Sequence, residues 1–172
     1  MENIKYRIAS IDDIDKIMLF YNDIIDNQRY DEYTPMWTKD VYPCFDDISY
    51  HLKNNKIYIG ENDIEIVSCL VFQIGEEDMY KDVNWVIKDD VGVIHLLAIN
   101  SKYRRLGYGE DILNMAINDN KDKVKTIHLD VMLSNLSASK MYESFGFKYI
   151  DKKDVYYEDT GHIQAMLYEY II

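Results

Sequence analysis

The stretch Arg104-Arg105-Leu106-Gly107-Tyr108-Gly109 joins two segments of different character. Residues 91–99 before it are apolar and β-branched, which predicts a buried strand. After it, apolar residues recur at helical spacing: Ile112, Leu113, Ala116 and Ile117. A glycine turn that leads directly into a helix exposes unpaired backbone N–H groups at the positive end of the helix dipole. With two arginines beside it, the stretch predicts a binding site for a phosphate or pyrophosphate.

The size and composition of the chain indicate one ordered domain spanning residues 1–172. The hydrophobic fraction is 48%, and 7 glycines with 2 prolines leave little material for linkers. The net charge of -12 argues against a general nucleic-acid binder, because such proteins need a basic surface. An acidic surface favours cationic partners instead.

Cysteine content and hydropathy indicate the compartment and the absence of a metal. Cys44 and Cys69 form neither a disulfide framework nor a metal-ligand spacing, so we predict no metal site. The amino terminus lacks the apolar stretch of a signal peptide, and no apolar run reaches the roughly 20 residues needed to cross a bilayer. We therefore expect a cytoplasmic protein without membrane association.

Hydrophobic periodicity predicts the element order β-α-α-β-β-β-α-β-α-β-β, an α/β mixed sheet flanked by helices. A capping signal at Ser10 and Asp13 begins the first helix. The segment 75–90 is not assigned. The other predicted segments are a strand over 4–9, a helix over 46–53, a hairpin of 57–60 with 64–74, a strand over 126–132, a helix over 135–145, and a closing pair of 147–157 with 162–172.

Three glycine-loop chemistries compete for the turn at residues 104–109. A phosphate-binding loop of the kinase or ATPase type needs Lys and Ser or Thr after the last glycine, where Glu110 and Asp111 stand. A dinucleotide-binding turn needs a third glycine at the position of Ile112. The remaining pattern is Arg-x-x-Gly-x-Gly, which by itself is also compatible with a tight turn that carries surface arginines.

A second motif follows at residues 135–147, Asn-Leu-Ser-Ala-Ser-Lys-Met-Tyr-Glu-Ser-Phe-Gly-Phe. Asn135 and Tyr142 are seven residues apart, so they lie on nearly one face of the predicted helix. Taken singly, Asn135 is also explained as a helix cap and Tyr142 as a core tyrosine.

Together, the two motifs at this separation resemble the GNAT superfamily of acyl-CoA-dependent N-acetyltransferases, most strongly over residues 91–150. The resemblance implies an enzyme with a central, twisted mixed β-sheet flanked by about four helices. It also implies acetyl-CoA as the co-substrate, bound by a strand edge, the glycine turn and the start of the later helix. The implied coenzyme-binding residues are Leu97, Ala98, Ile99, Arg104, Arg105, Leu106, Gly107, Tyr108, Gly109 and Asn135. Glu110 and Asp111 compete with the pyrophosphate for the helix dipole, which predicts ordinary or weak coenzyme affinity.

The same resemblance implies direct transfer to an amine in a ternary complex. Tyr142 is then the general acid that protonates the departing thiolate, and the N–H of Leu97 or a neighbour stabilises the oxyanion. His95 is the candidate base, because strand alternation puts it on one face with Leu97 and Ile99. A structural role for His95 is an equal alternative.

The acceptor remains open at this point. Aromatic residues with acidic neighbours suit a cationic amine, although an aromatic-rich composition alone also explains them. The candidate substrate-binding residues are Tyr30, Tyr33, Trp37 and Trp85. We expect a small-molecule amine first and a peptide or protein amine second; the alternative from another class is a non-catalytic acyl-CoA sensor. The apolar closing strands would support a homodimer.

Overall fold

A computed structural model describes residues 3–28, 35–157 and 160–172. Seven strands form one sheet in the order β1-β2-β3-β4-β5-β7-β6, and four α-helices flank it within these ranges. The strands are β1 (Lys5–Ile8), β2 (Lys56–Glu61), β3 (Ile66–Ile74), β4 (Val91–Ile99), β5 (Thr126–Met132), β6 (Lys148–Tyr157) and β7 (Gly161–Ile171). The helices are α1 (Ile14–Asn27), α2 (Phe45–Asn54), α3 (Tyr108–Asn120) and α4 (Leu136–Phe145). The predicted element order and the mixed sheet are confirmed.

The sheet opens between its two central strands. β4 and β5 form its one parallel pair, and their register covers only Val91–Thr126, Gly92–Ile127 and Val93–His128. On its other side β5 pairs with β7 along its whole length. The second half of β4 therefore has β3 on one side and a cleft on the other.

A β-bulge in β4 changes which residues face which side of the sheet. The register pairs Ala98 with Cys69 but His95 with Val71, so β4 holds one residue more than β3 over this stretch. Leu96 adopts a left-handed φ of 54°, and its carbonyl accepts a hydrogen bond of 2.8 Å from the Tyr21 hydroxyl.

The prediction that His95 shares a face with Leu97 and Ile99 is wrong, because the bulge adds a residue and breaks strict alternation. Leu97 packs with the core under α3 and α4. Leu96 and Ala98 pack with the core under α1 and α2, and His95 faces the same side, where its ring stacks on His51 of α2.

Hydrophobic burial occurs on both faces of the sheet. One core, under α3 and α4, centres on fully buried Leu70, Ile112 and Ile127. The other core, under α1 and α2, centres on Ile17, Ile48 and Ile59. The period-2 strands and amphipathic helices of the sequence produce this three-layer packing.

Residues 75–90, the segment without a predicted structure, connect β3 to β4 as a strap that packs over β5 and β7. A short 3₁₀ turn, Asp78–Tyr80, buries Tyr80 completely. At the ends, the Gly75 N–H bonds to the Val91 carbonyl at 2.8 Å, and the Asp90 carbonyl accepts from Lys125 N at 2.7 Å. The segment is polar and has few apolar residues, so it shows neither helical nor strand periodicity of hydrophobic residues. Its burial could therefore not be predicted from the sequence. No described helix is long and apolar enough to span a membrane.

Candidate active site

A cavity of about 410 Å³ lies at the end of β4, beyond the stretch in which that strand pairs with β5. The end of β4, the turn at residues 104–109, and the first two turns of α4 form its walls. All but one of the residues implied for coenzyme binding line it: Leu97, Ala98, Ile99, Arg104, Arg105, Gly107, Tyr108, Gly109 and Asn135. The exception is Leu106, which lies outside the lining and is 52% exposed.

The glycine turn has the geometry of an anion site. Gly107 caps α3 with a left-handed φ of 90°, preceded by Arg105 at 64°. The Glu110 and Asp111 N–H groups bond back to the Gly107 carbonyl at 3.0 and 3.1 Å. The N–H groups of Tyr108 and Gly109 have no acceptor within the described ranges, so they remain for a ligand at the helix start.

The two glycines of the turn are required for different reasons. A Cβ on Gly107 would meet nothing within 4 Å, so this position needs glycine for its backbone conformation. A Cβ on Gly109 would lie 2.9 Å from Met141 Sδ, so this glycine allows α3 to approach α4 closely.

Charge around the turn is mixed. Arg104 is partly buried, which lowers the pKa of its guanidinium, and its Nε lies 3.4 Å from the Ile99 carbonyl as a hydrogen-bond donor. Glu110 lines the cavity, whereas the Asp111 carboxylate lies outside the lining and accepts a hydrogen bond from the Tyr6 hydroxyl at 3.2 Å. Of the two acidic residues expected to oppose an anion, only Glu110 faces the cavity.

Asn135 and Tyr142 stand where their helix position predicts. Asn135 Oδ1 accepts from the Ala138 N–H at 3.2 Å and so caps α4, while the residue also lines the cavity. Tyr142 is buried, with its ring edge-on to Phe147 at 5.3 Å. Burial, together with the nearby Asp130 charge, raises the pKa of the Tyr142 hydroxyl well above its usual range. The hydroxyl therefore carries its proton at neutral pH.

A second cavity of about 130 Å³ adjoins the first. The two share Leu97, Asn135 and Tyr142 among their lining residues, so Tyr142 stands at their junction. The polar residues that line only the smaller cavity are Tyr42, His95, Asp130 and Tyr157.

Asp130 is the acidic group of the smaller cavity, and the sequence reasoning missed it. The Tyr80 and Tyr157 hydroxyls donate to its two oxygens. Within the described ranges, no Lys or Arg pairs with this carboxylate. Its signal was present: an acidic residue interrupts the apolar strand β5 two positions after His128, on the same face.

His95 lines the smaller cavity and contacts two more titratable residues behind it. Its Nε2 lies 3.2 Å from Glu77 Oε1, and this neighbour lowers the pKa of the Glu77 carboxyl. Its ring stacks on His51 with centroids 6.0 Å apart. Burial and the His95 charge lower the pKa of His51 to about 4.

The predicted substrate-binding residues are dispersed. Trp37 lines both cavities and packs edge-on against Tyr21 at 5.5 Å. Trp85 lies away from both cavities, because it is buried in the strap with its ring stacked on His128 at 3.8 Å. Tyr30 and Tyr33 lie outside the described residues. No group of three or more His, Cys, Asp or Glu side chains in the described ranges could hold a metal ion.

A mixed sheet opened between its central strands, with a glycine-turn anion site at one end of the opening, defines the class of acyl-CoA-dependent acyltransferase folds. The crystal structure of Arabidopsis thaliana NAA60 in complex with acetyl-CoA has this fold, with a TM-score of 0.75 and 15% identity over 99% of both chains. The model of the acetyltransferase (GNAT) family matches residues 23–147, and the chain belongs to this family. The predicted resemblance is confirmed.

Two curated proteins show local sequence similarity. N-alpha-acetyltransferase 50 of Danio rerio is 39% identical over 67 residues, which are 38% of this chain and 40% of that protein. The putative [ribosomal protein bS18]-alanine N-acetyltransferase of Bacillus subtilis (strain 168) is 31% identical over 78 residues, 45% of this chain and 51% of that protein. The matches thus span about half or less of the length of these relatives.

Proposed function

We propose that the protein transfers an acetyl group from acetyl-CoA to the α-amine of a peptide or protein. One observation carries this proposal, the position of Tyr142. Its buried, protonated hydroxyl stands where the cavity lined by the anion-binding turn meets the cavity lined by the Asp130 carboxylate. The first cavity suits the donor and the second suits a cationic acceptor, so from here on we call them the donor and acceptor cavities.

The residues of the donor cavity fit acetyl-CoA. The free N–H groups of Tyr108 and Gly109, with Arg104 and Arg105 beside them, match the pyrophosphate. Among the described strands, none pairs with β4 on the cleft side at residues 97–99, so its backbone there is available to the amides of the pantetheine arm. Acetyl-CoA supplies a thioester carbonyl that is activated toward nucleophiles.

The residues of the acceptor cavity can prepare an amine for attack. Asp130 pairs with the incoming ammonium and orients it, and Asp130 or His95 accepts its proton, directly or through water. The neutral nitrogen then forms the C–N bond, and the Leu97 N–H stabilises the oxyanion. As the C–S bond breaks, the attached nitrogen loses its second proton to the base or to water, and Tyr142 gives its proton to the thiolate and regains one from solvent or from the base.

A peptide α-amine suits this site better than an aliphatic amine. An α-amine has a pKa of about 7.7–8.0 and a lysine-type amine about 10.4, so a weak base such as a histidine or carboxylate suffices for the former. The names of the two curated relatives, an N-alpha-acetyltransferase and a ribosomal-protein alanine N-acetyltransferase, also support a polypeptide acceptor. These two arguments favour the peptide over the small-molecule amine that composition alone suggests.

The test is turnover with acetyl-CoA and free-thiol detection on a matched panel of acceptors. Two peptides share one sequence with an internal lysine; the first has a free α-amine and the second a blocked amino terminus. The small amines are phenylethylamine and spermidine. We expect the free α-amine peptide to give the highest kcat/KM. Preference for a small amine would contradict the proposed acceptor. Coenzyme binding by calorimetry without amine-dependent thiol release would contradict catalysis and support the sensor.

A further inference from the structure

The strap at residues 75–90 supplies two residues that contact side chains lining the acceptor cavity. Glu77 reaches His95, with 3.2 Å between Oε1 and Nε2. Tyr80 donates its hydroxyl to Asp130. Because His95 and Asp130 are the two proton acceptors of the cavity, their orientation depends on where the strap lies.

A cluster centred on His128 attaches the strap to the sheet. His128 is fully buried on β5, and its Nδ1 lies 2.7 Å from Glu76 Oε2 of the strap. The Trp85 indole stacks on the imidazole at 3.8 Å and 12°. Farther along the strap, the Val86 and Ile87 N–H groups each donate to the Glu169 carboxylate of β7 at 2.9 Å.

Two carboxylates lie near the two nitrogens of the His128 ring. Glu169, itself 2% exposed, approaches the second ring nitrogen with 3.5 Å between Oε1 and Nε2. Among the described residues Nε2 forms no hydrogen bond at this distance. The hydrogen bond to Glu76 and the stacked Trp85 ring are therefore the contacts that join His128 to the strap.

The other groups described around His128 are polar, acidic or apolar. Thr126 donates its hydroxyl to Glu169, at 3.1 Å from Oε1. Asp130 follows on the same face of β5, with Tyr80 hydrogen-bonded to it. From β4 the register neighbour is the apolar Val93. Within the described ranges, no Lys or Arg pairs with Glu76 or Glu169.

We propose that His128, hydrogen-bonded to Glu76 and stacked on Trp85, is a positioning residue that clamps the strap over β5 and β7. Loss of the imidazole releases Glu76, and the strap then no longer holds Glu77 on His95 and Tyr80 on Asp130. The effect on acetyl transfer rests on the proposed function, but the clamp itself does not. The donor cavity has no residue in the cluster, so binding of acetyl-CoA is independent of the clamp.

The first test reads the clamp without any enzyme assay. ¹⁵N NMR of the four histidine side chains, assigned by comparison with His128→Gln, should show changed His128 ring signals in Glu76→Gln, because Nδ1 loses its carboxylate partner. Hydrogen exchange should be faster at the Val86 and Ile87 amides in His128→Gln than in the wild type. Unchanged His128 ring signals in Glu76→Gln, or unchanged exchange of both amides in His128→Gln, would overturn the clamp.

The second test separates positioning from a general loss of stability. His128→Gln should raise the KM of the acceptor peptide by about tenfold, because displaced catalytic groups lose alignment, with less than about a twofold change in acetyl-CoA affinity. The matched control is Ile127→Val, a buried change on the next residue of β5 that faces the opposite core. We expect it to lower stability without moving the acceptor KM.

Glu76→Gln serves as a second variant, because this side chain lies at the edge of the cluster with 22% exposure and its change will not unfold the core. It should reproduce the faster amide exchange and raise the acceptor KM in the same direction. An unchanged acceptor KM in both variants, in an enzyme that acetylates the peptide, would overturn the positioning role. If no amine is acetylated, the proposed function fails, and NMR and exchange still decide the clamp.

Discussion

The two ends of the cleft are made of different parts of the polypeptide. The donor end is mostly backbone: free N–H groups at the start of α3, a glycine at φ 90° and an unpaired edge of β4. The acceptor end is mostly side chains that can gain or lose a proton, His95 and Asp130, with Glu77 and two tyrosines behind them. The donor end should therefore respond to changes of backbone conformation, and the acceptor end to changes of charge and pH.

The strongest expected effect of a single substitution is at the donor end. Gly107→Val should weaken acetyl-CoA binding by about 100-fold, because a β-branched residue strongly disfavours φ 90° and the turn must rearrange. Isothermal calorimetry measures the affinity. Gly107→Asn is the matched control, since Asn tolerates the left-handed region. Equal affinities of the wild type and Gly107→Val would show that the turn does not cradle the donor.

Tyr142 stands between the two ends, and its removal should separate chemistry from binding. Tyr142→Phe should lower kcat by about 100-fold through loss of the general acid, with acetyl-CoA affinity unchanged. Tyr168→Phe is the control: it deletes another buried hydroxyl of the same core, one that donates to Glu143 at 3.0 Å. If both variants lose the same activity, packing rather than proton transfer explains Tyr142.

At the acceptor end, Asp130→Asn should lower kcat/KM for the acceptor peptide by about tenfold, because the ammonium loses its charged partner. Steady-state kinetics at a saturating acetyl-CoA concentration measures this. Asp119→Asn is the control, since Asp119 also accepts a tyrosine hydroxyl, that of Tyr58, but lies outside both cavities. A comparable loss in both variants would exclude a specific role of Asp130.

The pH–rate profile distinguishes the two candidate bases. If His95 takes the proton, His95→Ala flattens the acidic limb of the profile, and Asp130→Asn leaves its shape unchanged. The opposite result assigns the base to Asp130. An unaltered limb in His95→Ala leaves that histidine with a structural role.

The smallest expected effect concerns stability behind the acceptor cavity. The pKa of His51 is about 4 when folded and near 6.5 when unfolded, so the unfolded chain binds more protons between these values. Folding stability should therefore fall as the pH drops from 6.5 to 4, by about 1–2 kcal/mol because partial exposure screens the shift. Urea unfolding of the wild type and His51→Asn measures it. A variant with the same pH dependence as the wild type would contradict the assignment.

The contrast between the two ends also explains what the sequence revealed. The donor end follows from local rules, because a strand, a glycine turn and a helix in succession have few possible geometries, and the predicted strand over 91–99 matches β4 residue for residue. The acceptor end depends on long-range contacts. Asp130 gains its role only when the strap and β6 bring Tyr80 and Tyr157 to it.

Two features escaped prediction because they break a period. The bulge at Leu96 shifts every later residue of β4 to the other face, and alternation cannot anticipate an inserted residue. The strap buries Tyr80 and Trp85 without helical or strand periodicity. Trp85 was therefore predicted to contact the substrate, although its ring stacks on His128.

The bulge in β4 has an evolutionary consequence for lengths of chain. Deleting Leu96 would restore simple alternation with β3 and would leave His95, Leu97 and Ile99 on the faces that they occupy now, but it would remove the carbonyl that accepts the Tyr21 hydroxyl. Deleting Ala98 instead would move Ile99 from the side of α3 to the side of α1 and α2. A one-residue deletion in this part of the strand should therefore be tolerated better at the bulge than after it.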